Sequence, residues 1–77
     1  MELKILNVET APSRYGWLSG DIECRVTVEG EVEGDHFYDE GGLPWTRQGD
    51  TLLTHRTEGV ERFPVAGDIV TLRPTPL

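Results

Sequence analysis

The sequence predicts a mainly β protein, folded as one small antiparallel sheet or partly open barrel of five or six short strands. Apolar and polar residues alternate with a period of two, most clearly in DIECRVTV (21–28), as expected of a strand with one buried face. Glycine and proline turn signals interrupt the chain at short intervals and leave no long segment with helical spacing. Seventy-seven residues suffice for one domain, so residues 1–77 are assigned to a single β-rich unit.

The first two strands follow directly from this pattern. ELKILNVET (2–10) is rich in β-compatible residues, and Pro12 with Ser13 closes the segment. In the second strand, Ile22, Cys24, Val26 and Val28 alternate with Asp21, Glu23, Arg25 and Thr27. The same parity continues beyond residue 28 through Val32, His36 and Tyr38.

A single strand of that length would exceed the usual three to ten residues, so we predict a bend at Glu29-Gly30-Glu31. A three-residue loop would keep both apolar sets on one face. It would form a hairpin that pairs Val28 with Val32, Cys24 with His36, and Arg25 with Asp35. The outer face of this hairpin would then carry two neighbouring acidic strands.

The second half of the chain is predicted as a loop, a hairpin and a last strand. Residues 39–50 contain three glycines and a proline and are predicted to form a loop. Residues 51–59 and 60–63 are predicted to form a hairpin that turns at Glu58-Gly59, with a final strand over Ile69–Arg73 and a flexible tail over 74–77. The GDIVTL segment (67–72) resembles the turn and strand of SH3-like and OB barrels, which implies an SH3-like or OB-like barrel.

Negative charge is concentrated in one part of the chain. The net charge is −7, and residues 21–40 hold eight acidic residues against one basic residue, whereas the flanking segments are each neutral overall. Direct binding to nucleic acid needs clustered Lys and Arg, so we expect none. Such a charge distribution instead indicates a positively charged partner.

Metal and cofactor sites are not predicted. From Glu29, the acidic run has the spacing of an EF-hand calcium loop, but glutamate is too long for the first ligand positions and no helix flanks it. A cluster of His36 with Asp35, Asp39 and Glu40 is the other candidate. We favour instead a half-buried His36 facing Cys24 and a surface His55.

No catalytic residue is predicted, so we do not expect an enzyme. Cys24 lies on the inward phase of its strand, where a thiol behaves as a small inert hydrophobe. No serine lies in a nucleophile-elbow context, and no glycine pattern resembles a phosphate loop.

The aromatic residues divide into core and surface candidates. In a domain this small, most of them are expected in the core, Tyr15 and Trp17 included. Phe37 falls on the outer, acidic phase of the predicted hairpin, and Trp45 lies in the predicted loop. Since Trp and other aromatics are enriched at interface hot spots, these two are the predicted anchors of a binding surface.

These observations predict a small acidic protein-binding module. It would act as an inhibitor or decoy that occupies a basic surface of a partner protein, for example one that binds nucleic acid. The predicted partner-binding residues are Glu29, Glu31, Glu33, Asp35, Phe37, Asp39, Glu40 and Trp45. In size, acidity and lack of catalytic groups the chain resembles phage-encoded anti-defence inhibitors such as anti-CRISPR proteins, which implies a host-cell target.

An alternative prediction is a structural barrel subunit or adaptor of a larger phage or multiprotein assembly, for which a homodimer would enlarge a small core. The N-terminal sequence has no secretory signal pattern, and no segment approaches the roughly 20 apolar residues of a membrane span. We therefore expect a cytoplasmic location, with no cofactor and no membrane partner.

Overall fold

A computed structural model describes residues 1–13 and 20–75 and confirms the predicted β fold. Six antiparallel strands close into a small barrel in the order β1-β2-β5-β4-β3-β6. The strands are β1 (Glu2–Pro12), β2 (Asp21–Val28), β3 (His36–Asp39), β4 (Pro44–Gln48), β5 (Thr51–Thr57) and β6 (Ile69–Pro74). The aromatic residues Tyr15 and Trp17, predicted to be in the core, lie outside the described residues.

The topology combines a meander with connections that cross the barrel before and after it. Strands β3, β4 and β5 follow one another around the ring, and β2 lies beside β5, so strands 2-5-4-3 form a Greek key. Strand β6 then fills the gap between β3 and β1 and closes the ring. Closure gives each of the six strands two neighbours and removes the free edges of an open sheet.

Strand β2 has the predicted bounds and the predicted inward face. Cys24, Val26 and Val28 are buried, and Ile22 packs against the core from its edge. Arg25, on the opposite phase, is exposed. A period of two therefore identified both the strand and its buried face.

Strand β1 changes its inward phase part-way along. Leu3 and Ile5 are buried, but a register shift between Ile5 and Asn7 leaves Leu6 exposed. Beyond the shift, Val8 is opposite Val26 and packs against the core. Such a bulge bends the strand, which lets β1 pair with β6 at one end and with β2 at the other.

The two predicted surface anchors are core residues, so that prediction is wrong. Phe37 and Trp45 lie opposite each other on β3 and β4, and each is only 1% exposed. Trp45 belongs to a strand because residues 44–48 pair with both β3 and β5. Phe37 points inward because β3 pairs with β4 and β6 instead of with β2.

The predicted hairpin between β2 and residues 32–38 does not form. Strands β2 and β3 lie on opposite sides of the ring, so the pairs Val28–Val32, Cys24–His36 and Arg25–Asp35 are absent from the observed register. Two acidic strands therefore do not run side by side. The alternation was real, but parity identifies a face and not a pairing partner.

The structure also differs from the sequence prediction at residues 60–63 and at the C-terminal end. Residues 60–63 form turns and irregular structure instead of a strand, although β5 does end just before the predicted turn at Glu58-Gly59. Pro74 pairs with Phe37 at the end of β6, and the Thr75 N–H donates to the His36 carbonyl, so both residues are held by the barrel. Residues 76–77 of the predicted tail lie outside the described ranges.

Two connections cross the ends of the barrel. Residues 29–35 join β2 to β3, and residues 58–68 join β5 to β6; in both cases the strands lie on opposite sides of the ring. Because β2 and β5 are antiparallel, the two segments cap opposite ends. We call residues 29–35 the capping loop. It contains four of the acidic residues that the sequence placed in a hairpin: Glu29, Glu31, Glu33 and Asp35.

The buried position of Phe37 can be tested by comparing alanine substitutions at Phe37 and at the adjacent Tyr38. Phe37→Ala is expected to destabilise the protein by about 3–5 kcal/mol, because it removes a fully buried ring from the core. Tyr38→Ala, at an exposed position on the same strand, is expected to cost less than about 1 kcal/mol. Urea unfolding measures both values, and similar small losses for the two variants would contradict a core position for Phe37.

Candidate functional site

The capping loop is held to the barrel by its central apolar residue. Val32 is half-buried and packs against the core, whereas its neighbours Glu31 and Glu33 are exposed. Gly30 and Gly34, with φ of 89° and 97°, adopt backbone conformations that favour glycine. A Cβ on Gly34 would also lie 3.2 Å from the Phe37 ring, so this residue lets the loop approach the core closely.

Arg47 fixes the end of the capping loop to the neighbouring turn between β4 and β5. Its Nε donates to the Gly34 carbonyl at 2.8 Å, and one terminal nitrogen donates to the Gly49 carbonyl at 3.1 Å. The other terminal nitrogen lies 3.0 Å from the Asp35 carboxylate. Asp35 is therefore already paired, and Arg25 donates instead to the Thr51 hydroxyl.

Four carboxylates at this end of the barrel have no opposite charge bound to them. Glu29, Glu31 and Glu33 on the capping loop and Asp50 on the β4–β5 turn are all exposed. Within residues 1–13 and 20–75, none of them forms an ion pair or a side-chain hydrogen bond. Sequence reasoning missed Asp50, because only the barrel brings this turn beside the loop.

A groove separates the capping loop from the β4–β5 turn. Its volume is about 440 Å³. Val28, Val32 and Leu52 provide its apolar wall, and Glu31 and Asp50 line it from the loop and from the turn. The acidic end of the barrel, defined as the capping loop with Gly49 and Asp50, is thus a charged surface with an apolar depression.

Asp39, a predicted partner-binding residue, has a structural role inside the barrel. One carboxylate oxygen accepts hydrogen bonds from the backbone N–H groups of Gly41 and Leu43. The other accepts the Trp45 indole N–H at 2.9 Å and an Arg56 guanidinium N–H at 3.0 Å. With four donors around it, this carboxylate is not available to a partner.

Arg56 is the centre of this polar network. Its side chain is 5% exposed and that of Asp39 is 12% exposed, so the ion pair is largely desolvated. The guanidinium also donates to the Thr54 hydroxyl and to the carbonyls of His55 and Arg62. It lies 5.5 Å from the centre of the Trp45 ring, within the range of a cation–π contact.

Glu40 lies apart from the other predicted acids. It is exposed in the turn after β3, and the capping loop precedes β3, so the strand separates Glu40 from the acidic end. Of the eight predicted partner-binding residues, the structure brings Glu29, Glu31, Glu33 and Asp35 together. Asp39, Phe37 and Trp45 are in the interior, and Glu40 is at the opposite end.

The histidines and the cysteine occupy ordinary positions. His36 and His55 are both exposed on strands, so the predicted half-buried His36 facing Cys24 is not observed. The part of the chain that the structure describes has no group of three or more His, Cys, Asp and Glu side chains placed to hold a metal ion. Within the same ranges, no helix is long and apolar enough to cross a membrane.

Cys24 is fully buried on β2. Burial raises the pKa of its thiol, the Arg56 charge opposes that shift, and the Glu23 charge adds to it. A thiol with a raised pKa is a poor nucleophile at neutral pH. Cys24 therefore contributes packing in this fold.

Comparisons of the chain with protein-family models, with curated proteins and with solved structures found no significant match. Function therefore has to be inferred from the geometry and charges of the chain itself.

Because Asp39 neutralises a buried arginine, its replacement by asparagine is expected to lower the stability of the protein strongly. Asp39→Asn is expected to cost about 3–5 kcal/mol, because it leaves the buried Arg56 charge without its counter-ion. Asp35→Asn breaks an ion pair whose carboxylate is 65% exposed and is expected to cost no more than about 1 kcal/mol. Chemical denaturation compares the two; equal costs would show that Asp39 is not part of a buried network.

Cys24 predicts a pH dependence of stability. The pKa of the Cys24 thiol is higher in the folded state than in the unfolded state, where it is about 8.5. The neutral buried thiol therefore stabilises the fold fully below about pH 8.5, and this stabilisation is lost as the pH rises through the folded pKa. The stability advantage of wild type over Cys24→Ala should therefore shrink above about pH 8.5. Unfolding curves at several pH values test this, and a constant difference across that range would count against the shift.

Proposed function

We propose that the protein is an acidic protein-binding module that occupies a basic surface of a partner protein through its acidic end. One observation carries this proposal. Four exposed carboxylates without an ion pair lie together at this end of the barrel: those of Glu29, Glu31 and Glu33 on the capping loop and that of Asp50 on the adjacent turn. Exposed acids elsewhere in the described residues, such as Glu9, Glu40 and Glu58, also lack an ion pair, but they belong to separate segments of the chain.

Such a cluster carries a cost that a partner can offset. Glu29, Glu31, Glu33 and Asp50 lie on one loop and the adjacent turn, and their like charges repel one another. Solubility does not require that the charges be concentrated at one end. Cationic groups of a partner would relieve the repulsion, and the negative potential would raise the association rate at low salt.

Inhibition follows if the occupied surface has another ligand. Proteins bind the phosphates of nucleic acids through clustered Lys and Arg, and the same cations would pair with the acidic end. A partner held in this way could not bind nucleic acid at the same surface. This is the mode of action proposed here, and it accords with the resemblance in size and acidity to phage-encoded anti-defence inhibitors.

The alternative role as a structural subunit remains a prediction. Each of the six described strands already has two neighbours, so an assembly could not extend this sheet by adding a strand. A subunit role would have to use side-chain surfaces instead.

Binding to a nine-residue arginine peptide, used as a model of a basic surface, tests the proposal. The triple variant Glu29→Gln, Glu31→Gln, Glu33→Gln is expected to bind the peptide about tenfold more weakly than wild type, equivalent to about 1.4 kcal/mol. The dependence of affinity on salt should also decrease, because fewer charge pairs form. Titration calorimetry at about 20 and 150 mM salt measures both effects.

A matched variant separates position from total charge. Glu9→Gln, Glu40→Gln, Glu58→Gln removes the same number of exposed carboxylates outside the acidic end. Its affinity is expected to stay close to that of wild type. If both triple variants lose affinity equally, binding depends on net charge alone and the proposed site is wrong.

A further inference from the structure

The groove beside the capping loop is large enough to receive a side chain of a partner. Its volume of about 440 Å³ lies within the range of about 300–1,000 Å³ that is common for binding clefts. The half-buried Val32 is the most exposed of its apolar side chains, and Val28 and Leu52, which are 8% and 1% exposed, complete the apolar lining. The groove is thus apolar along part of its wall and open to solvent at the acidic end.

The charges that line the groove are negative once internal pairing is considered. Glu31 and Asp50 line it from two different segments, and within the described ranges neither has an ion-pair partner. Arg47 also lines the groove, but its guanidinium is held by two backbone carbonyls and by Asp35. Its charge is therefore offset, and a ligand would meet two free carboxylates.

We infer that this groove receives a single arginine side chain of the partner, an inference that rests on the proposed function. The aliphatic part of the side chain would pack chiefly on Val32, beside Val28 and Leu52. The guanidinium would then lie between the carboxylates of Glu31 and Asp50. An apolar stem that ends in a cation matches a lining that combines apolar side chains with two carboxylates.

Arginine fits the groove better than lysine does. A guanidinium has five N–H donors in a fixed plane, so it can bind two carboxylates that come from different segments. It is also less strongly hydrated than an ammonium group, and it therefore loses less on entering a partly apolar groove. Arginine is one of the residues enriched at the centres of protein interfaces.

Two double variants with the same charge test the inference. Glu31→Gln with Asp50→Asn alters the carboxylates that line the groove, and Glu29→Gln with Glu33→Gln alters two on the same loop that do not line it. The probes are nine-residue peptides of arginine or of lysine. Wild type is expected to bind the arginine peptide at least about fivefold more tightly than the lysine peptide, since a planar guanidinium directs separate N–H donors to the two carboxylates and is less strongly hydrated than an ammonium group.

The groove variant, Glu31→Gln with Asp50→Asn, should lose the preference for the arginine peptide. The loop variant, Glu29→Gln with Glu33→Gln, should bind both peptides more weakly but should keep the preference for arginine. Circular dichroism and thermal unfolding establish that both variants are folded. Methyl NMR spectra of the wild type with the tripeptide Gly-Arg-Gly provide a local readout. Saturable shifts are expected at Val28, Val32 and Leu52, and the lysine analogue should produce smaller ones.

The outcomes distinguish the groove from the wider acidic end. If wild type does not prefer arginine, if the two double variants behave alike, or if the methyl groups of Val28, Val32 and Leu52 do not shift, the groove inference is overturned even though the acidic end binds cations. If instead wild type binds the arginine peptide no better than the triple loop variant does, the proposed function itself fails.

Discussion

The ion pair between Arg56 and Asp39 is the interaction on which much of the barrel depends. Strand β3 has only four residues and forms three residue pairs with each of its neighbours, so its backbone ladders alone hold it weakly. Asp39, at the end of β3, binds the Trp45 indole of β4 and the guanidinium of β5. The same guanidinium binds the Arg62 carbonyl in the connection to β6. One buried charge pair thus joins four parts of the chain.

Closure of the ring determines which acids are left unpaired at the acidic end. Because β2 and β3 lie on opposite sides of the barrel, the chain between them has to cross one end. Val32 packs against the core, and Glu31 and Glu33 beside it are exposed to solvent. Asp35 is paired by Arg47, so the unpaired carboxylates at this end of the barrel belong to the three glutamates of the capping loop and to Asp50.

The sequence predicted the features that local patterns encode. The period of two identified β2 with its bounds, and turn residues placed β6 and the end of β5. Pairing partners were missed, because the alternation continues through Val32 into β3 although the two strands never meet. The proposed hairpin satisfied parity, and parity does not distinguish a neighbouring strand from one across the barrel.

The sequence predicted only part of the candidate site, because local patterns do not show which distant residues meet. The run of acids from Glu29 to Asp35 was visible as composition, but the burial of Asp39 depends on Arg56, 17 positions away. Asp50 could be added only once β4 was recognised as a strand that ends beside the loop. The sequence pattern predicts Phe37 and Trp45 at the surface because it predicts a hairpin after β2 and a loop over residues 39–50. In the structure both residues lie on strands and point into the core.

The ladders of the ring are unequal in length, and this would couple the proposed binding of a partner to local unfolding. β1 and β2 share seven residue pairs and β2 and β5 share six, whereas β6 shares three with β1 and three with β3. Local opening should therefore release β3 and β6 before the β1–β2–β5 layer. The capping loop joins the firmer part to the looser part. A partner that grips the loop would accordingly suppress this opening, and part of the binding energy would appear as slower hydrogen exchange in β3 and β6.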